Sequence, residues 1–106
     1  MAKYLFQASY TAEGVRGLMK DGGSKRKAVI EATCKSLGGR LEVFYHAFGD
    51  TDVFAIVDLP DNASTAAASL AVTASGAATV RTTVLMTPEE MDQAVRKTVG
   101  YQPPGR

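Results

Sequence analysis

The chain of 106 residues has the length of one domain, and 45% hydrophobic with 22% charged residues is an ordinary composition for a globular protein. Its 12 basic and 11 acidic residues almost cancel, so the composition favours neither a nucleic acid nor a membrane surface as a partner. The single cysteine, Cys34, excludes an intrachain disulfide and a zinc site built from several cysteines of one chain. No metal and no cofactor are expected.

The N-terminal residues enter a strand pattern directly, without the charged segment, apolar stretch and cleavage site of a signal peptide. No apolar run approaches the ~18 residues that a membrane-spanning helix needs. We therefore expect the protein to be cytoplasmic.

Strand and helix patterns alternate in the first half of the chain. Residues 3–10 carry aromatic side chains in loose alternation and predict a strand. Thr11 is a helix N-cap candidate, and the helical segment that follows it is interrupted by Asp-Gly-Gly at residues 21–23. Residues 25–37 form the clearest helix, with apolar side chains along one stripe, and two glycines at 38–39 end it.

The second half of the chain supplies a hairpin, two helices and a further strand. Strands are predicted over residues 40–48, 52–58 and 78–86, and helices over residues 63–75 and 88–98. The last helix has the most specific start signal, a capping box from Thr87 to Glu90 with Pro88 at the first helical position. The final residues, 99–106, are expected to form an extended tail.

The order β–α–β–β–α–β–α is that of a split βαβ unit, so we predict an α+β protein with a ferredoxin-like sandwich. Residues 1–98 would form a single domain, in which the helices cover one face of a four-stranded antiparallel sheet. The other face of that sheet must then be polar or be covered by something else.

Side-chain alternation divides the strand residues between the two faces of the predicted sheet. Assigning the more apolar set of each strand to the helices places Leu41, Val43 and Tyr45 under the helices and Phe44 and Phe48 on the other face. Exposed phenylalanines on a sheet are unusual in a monomer, so we predict that two or more copies pair their sheets and enclose a small-molecule pocket. The predicted ligand-binding residues are Gln7, Ser9, Phe44, His46, Phe48, Arg81 and Thr83.

The stretch Ser24–Ile56, with Leu-Pro-Asp at 59–61 and the strand at 80–86, resembles the GYD domain family, which is named for a Gly-Tyr-Asp signature at the central hairpin. Gly49 and Asp52 stand where the glycine and the aspartate of that signature would lie, whereas Thr51 stands at the position of its tyrosine.

The resemblance covers residues 4–92 and implies a ferredoxin-like fold of the dimeric α/β-barrel type. Similar barrels include cofactor-free monooxygenases, haem-degrading proteins and ligand-binding regulatory domains. The fold alone therefore does not select a function.

His46, the one histidine, and Arg81, alone among apolar and threonine residues, are the main candidates for polar contacts to a ligand. His46 fits a general base or a metal ligand, and it also fits a strand histidine bonded to a neighbour. Arg81 fits a clamp on a carboxylate or phosphate, and it also fits an ion pair with Glu42 or Asp52 or a rim position whose charged end reaches water.

The glycines and cations before the clearest helix carry a weaker signal. Cations at a helix N-terminus oppose the helix dipole, and a bound anion would relieve that repulsion. The same segment fits a solvated basic turn, because its spacing is not that of a phosphate-binding loop. The candidate anion-binding residues are Gly23, Ser24, Lys25 and Arg26.

Three aspartates and the cysteine complete the set of reactive side chains. Asp50, Asp52 and Asp58 surround the hairpin, where they fit either a hard-cation site or turn and backbone hydrogen bonding. Cys34 lies on the apolar stripe of its helix and is expected to be a buried small side chain, not a nucleophile.

Three functions are left open by these residues. The first is an oligomeric small-molecule-binding or accessory protein with its pocket between paired sheets. The second is a cofactor-independent enzyme of the monooxygenase-like barrel class, in which His46 would act as base and Arg81 would hold the developing anion. The third is a purely structural interaction protein, in which the paired sheets enclose no pocket.

Overall fold

A four-stranded antiparallel sheet forms the centre of the computed structural model, which describes residues 1–106. Its strands, in the spatial order β2-β3-β1-β4, are β1 (Ala2–Tyr10), β2 (Arg40–His46), β3 (Val53–Leu59) and β4 (Ala78–Leu85). The helices are α1 (Ala12–Asp21), α2 (Gly23–Ser36), α3 (Asn62–Ala74) and α4 (Pro88–Val95). This architecture confirms the predicted α+β, ferredoxin-like fold. None of the four helices combines the length and the apolar character that a membrane span requires.

The helix boundaries follow the capping residues of the sequence. The Thr11 hydroxyl accepts a hydrogen bond from the Gly14 amide at 3.1 Å and begins α1. Gly22, with a φ of 84°, separates α1 from α2, because only glycine adopts that conformation without strain. The capping box that begins α4 is confirmed, with both hydrogen bonds between Thr87 and Glu90 present.

The hydrophobic core lies on one side of the sheet only, which we call the helix face. Tyr4, Cys34, Val57 and Leu59 form its fully buried centre. The Tyr4 hydroxyl donates to the Asn62 side-chain oxygen at 2.7 Å, so its polar end is satisfied at the start of α3. The other side of the sheet carries no helix, as the split βαβ pattern predicts.

Gly14 marks the closest approach of α1 to the rest of the domain. It is buried, and a Cβ built on it would overlap the carbonyl oxygen of Ala77, just before β4. Gly17 lies one turn later in the same helix, and a Cβ there would meet nothing within 4 Å. The two glycines therefore form a matched pair with opposite steric surroundings.

We expect Gly14→Ala to lower the free energy of unfolding by about 1–3 kcal/mol, because the added methyl group overpacks a backbone contact. Gly17→Ala should raise it by about 1 kcal/mol, because alanine favours a helix interior over glycine. Urea denaturation of both variants measures the two changes. Effects of the same sign and size would contradict the close contact at Gly14.

Candidate functional site

The side of the sheet opposite the helices, which we call the open sheet face, is the predicted location of the site. Its residues follow from the strand pairing, which places each strand side chain beside known neighbours. They are Lys3, Leu5, Gln7 and Ser9 of β1; Arg40, Val43 and Tyr45 of β2; Phe54, Ile56 and Asp58 of β3; and Thr79, Arg81, Thr83 and Leu85 of β4.

A β-bulge at Glu42 overturns the predicted faces of β2. Leu41 pairs with Val57, but Val43 pairs with Ile56, so Glu42 is an extra residue in the strand. Beyond the bulge each side chain points to the face opposite the one that simple alternation predicts. The expectation that Val43 and Tyr45 lie under the helices was therefore wrong.

Phe44 and His46 consequently lie on the helix face and not with the other predicted ligand-binding residues. Their rings pack edge to face, with centroids 5.0 Å apart. His46 Nε2 lies 3.2 Å from the carbonyl oxygen of Gly23, to which an N–H at that position donates. Phe48 is fully exposed in the loop after β2 and belongs to neither face of the sheet. These three placements correct the predicted pocket wall.

Two rows of neighbouring side chains cross the middle of the open sheet face. One row pairs Tyr45 with Phe54, Phe54 with Gln7, and Gln7 with Arg81. The adjacent row is more apolar and runs through Val43, Ile56, Leu5 and Thr83. Gln7, Arg81 and Thr83 thus lie together on this face as predicted, and Val43, Tyr45 and Ile56 lie beside them, which sequence reasoning missed.

Arg81 has no acidic partner within the chain. The ion pairs of the protein all lie elsewhere. Of its two predicted partners, Glu42 pairs with Lys3, and the Asp52 carboxylate accepts a hydrogen bond from the Tyr10 amide at 2.8 Å. The guanidinium is therefore free to bind an anion from outside the chain.

One end of the open sheet face is closed by an ion network around Asp58. Lys3 Nζ and Arg40 Nη2 each lie 2.9 Å from one oxygen of this buried carboxylate, and Lys3 also pairs with Glu42. The hydrogen bond from Lys3 is the main reason that the pKa of Asp58 is lowered, although burial acts in the opposite direction. These charges satisfy one another and leave nothing free for a ligand.

The hairpin loop closes the other end of the open sheet face. The Ser9 hydroxyl donates to the carbonyl oxygen of Asp50 at 2.9 Å, so this predicted ligand-binding residue anchors the loop. Asp52 binds the backbone of β1, and Thr51, at the tyrosine position of the signature, is buried. Gly49 lies exposed in the same loop. No group of three or more His, Cys, Asp or Glu side chains is arranged to hold a metal ion.

The residues of the predicted anion site lie at the start of α2, away from the open sheet face. Ser24 is exposed, and Lys25 pairs with Asp21 at 3.8 Å. Gly23 lies against the His46 ring, and Arg26 is half-buried at the rim of a cavity on the helix face. Further along α2, burial raises the pKa of the Cys34 thiol, which is the setting of an unreactive cysteine.

The comparisons with known proteins identify the family. The model of the GYD domain matches residues 4–95, most of the chain. The chain therefore belongs to the GYD domain family, as its resemblance predicted. No curated protein and no solved structure matches it.

We expect Asp58→Asn to lower the free energy of unfolding at pH 7 by about 1–3 kcal/mol, because two charge-assisted hydrogen bonds are lost. A carboxyl group whose pKa is lowered by folding stabilises the fold above its unfolded-state pKa of about 3.9. That contribution is lost as the pH falls through the folded-state pKa, so variant and wild type should converge in strong acid. Urea denaturation at pH 7, 5 and 3 measures this, with Glu31→Gln on α2, a carboxylate that forms no ion pair, as control. A difference independent of pH would contradict the role of the ionised carboxylate.

Proposed function

We propose that this member of the GYD domain family is a homo-oligomer that binds a small anionic molecule in a pocket between paired open sheet faces. The observation that carries the proposal is the row that crosses this face, in which two exposed aromatic side chains, Tyr45 and Phe54, lie beside Gln7 and an arginine without a partner, Arg81. Aromatic walls with a few polar groups are typical of small-molecule sites.

The apolar character of the open sheet face supports the pairing of two copies. Tyr45 is 68% exposed and Phe54 is 37% exposed, and Leu5 and Ile56 beside them are only partly covered. Each Å² of apolar surface removed from water contributes about 25 cal/mol. A second copy brings the same surface, so a two-fold arrangement would cover both at once.

Arg81 supports an anionic ligand. An arginine enclosed between two sheets costs free energy unless an anion accompanies it. The acids at one end of the face, Asp58 and Glu42, are already paired with Lys3, so a second copy brings no free carboxylate from that network. A small molecule with a carboxylate or a phosphate would supply the missing charge.

The C-terminal segment supports association with a second copy, because α4 is uncovered in the single chain. Four strands of about seven residues present about 450 Å² in projection, whereas a standard stable interface takes about 800 Å² from each partner. All residues of α4 are exposed, and it has little contact with any other element. The radius of gyration is 16.9 Å, against about 13 Å for a compact domain of this length. The projecting helix would supply the area that the sheet lacks.

The enzyme hypothesis loses its geometric basis. It required His46 as base and Arg81 as anion holder on one substrate, but they lie on opposite faces of the sheet. His46 is also exposed and bonded to the backbone of Gly23, not enclosed in a cavity. We therefore propose binding and not catalysis.

Leu5→Lys places a second cation beside Arg81 at the centre of the open sheet face and should convert the oligomer to a monomer. An unpaired cation enclosed in the interface costs several kcal/mol. Size-exclusion chromatography with light scattering measures the change, and Ala32→Lys on the exposed side of α2 is the charge-matched control. Circular dichroism establishes that both variants fold. A monomeric wild type, or an oligomer that survives the substitution, would refute the paired sheets.

Arg81→Gln should remove the retained ligand while leaving the oligomer intact. Native mass spectrometry of protein purified from its own host reports both properties, and Arg16→Gln on exposed α1 is the charge-matched control. We expect wild type and control to carry the same additional small mass and Arg81→Gln to lack it. An empty wild-type oligomer would refute the pocket and favour the purely structural role.

A further inference from the structure

A concave surface lies on the helix face, between α2 and α3. α2 packs on β2 and α3 packs on β4, and the two helices have little contact with each other. The gap between them is a cavity of about 450 Å³, with an adjoining recess of about 60 Å³ that reaches the buried Cys34. The larger volume is within the range of about 300–1,000 Å³ that is usual for small-molecule sites.

Small side chains keep this cavity open. Ala71 and Val72 of α3 line one wall, Val29 and Ile30 of α2 line the other, and Ala8 lies on the floor. An apolar hollow that stays accessible to water leaves apolar surface uncovered, which an apolar ligand of suitable size would bury. The walls therefore favour a ligand with an apolar body.

One charged side chain lines the cavity. Arg26 is half-buried at its edge and forms no ion pair, whereas its neighbour Lys25 pairs with Asp21. No acidic residue is among the lining residues. A cation beside an apolar hollow complements a ligand with an acidic head group.

We propose that the cavity between α2 and α3 is a second ligand site, which takes an apolar monoacid with its acidic group on Arg26 and its apolar body between the helices. This site does not depend on the pairing of the open sheet faces, because the two sites lie on opposite sides of the sheet. In this proposal Arg26 binds the ligand, whereas in a solvated basic turn it would contact only water.

Isothermal titration calorimetry with decanoate tests the proposal, and decanol serves as the uncharged probe of the same length. We expect Arg26→Gln to weaken decanoate binding about tenfold, since a charge-assisted hydrogen bond is lost, and to leave decanol binding unchanged. Lys27→Gln, which removes an equal charge from an exposed neighbour, should change neither. Ala71→Phe should abolish binding of both probes by filling the cavity, while Ala67→Phe, on the same helix but outside the cavity, should not.

This experiment tests the cavity between α2 and α3 independently of the pocket proposed for the open sheet face. Arg81→Gln and Leu5→Lys should leave decanoate binding intact, because both side chains lie on the open sheet face. No decanoate binding at about 1 mM, or equal effects of Arg26→Gln and Lys27→Gln, would overturn the proposal. Binding lost in Arg81→Gln but kept in Ala71→Phe would also overturn it and assign the probe to the open sheet face.

Discussion

The β-bulge at Glu42 determines the chemistry of both sides of the sheet. One extra residue in β2 turns Val43 and Tyr45 to the open sheet face and Phe44 and His46 to the helix face. The helices thereby receive an aromatic side chain that lines the cavity between them. The open sheet face receives a tyrosine beside Phe54, and it lacks the histidine that the monooxygenase-like hypothesis placed there.

The charged side chains at one end of the open sheet face form ion pairs with one another, whereas Arg81 on β4 forms none. Around Asp58, two cations and a second carboxylate compensate one another, so the buried charge carries little residual field. Arg81, two strands away from that aspartate, has no counterpart. The anionic ligand that we propose would supply the counter-charge that Arg81 lacks within the chain.

The sequence predicts most of this fold because its strongest signals are local. Thr11, Gly22 and the capping box at Thr87 act through their own backbone neighbours, so each boundary can be predicted from a few residues. The faces of β1 and β4 were also predicted correctly, since both strands alternate without interruption. The bulge was missed because it depends on the pairing of β2 with β3, and Glu42 looks like any alternating polar residue.

The cavity between α2 and α3 could not be predicted for a related reason. The pattern of apolar residues tells which side of each helix faces the sheet, but the distance between two helices depends on all the side chains beneath them. Ala71 and Val72 of α3 border the opening, and nothing in the sequence distinguishes them from the other small side chains of that helix. The role that we propose for Arg26 depends on that opening, because the side chain lies at its edge.

The last helix, α4, has apolar side chains that no other part of the chain covers. An isolated helix shorter than about 12 residues is marginal in water, and α4 has 8 residues. The capping box contributes about 1 kcal/mol, which does not replace packing. Met91 and Val95, one turn apart, are 51% and 74% exposed and need a covering surface that this chain does not provide. Because α4 follows β4, an edge strand of the sheet, a second copy paired on the open sheet face is the covering surface that we propose for this helix.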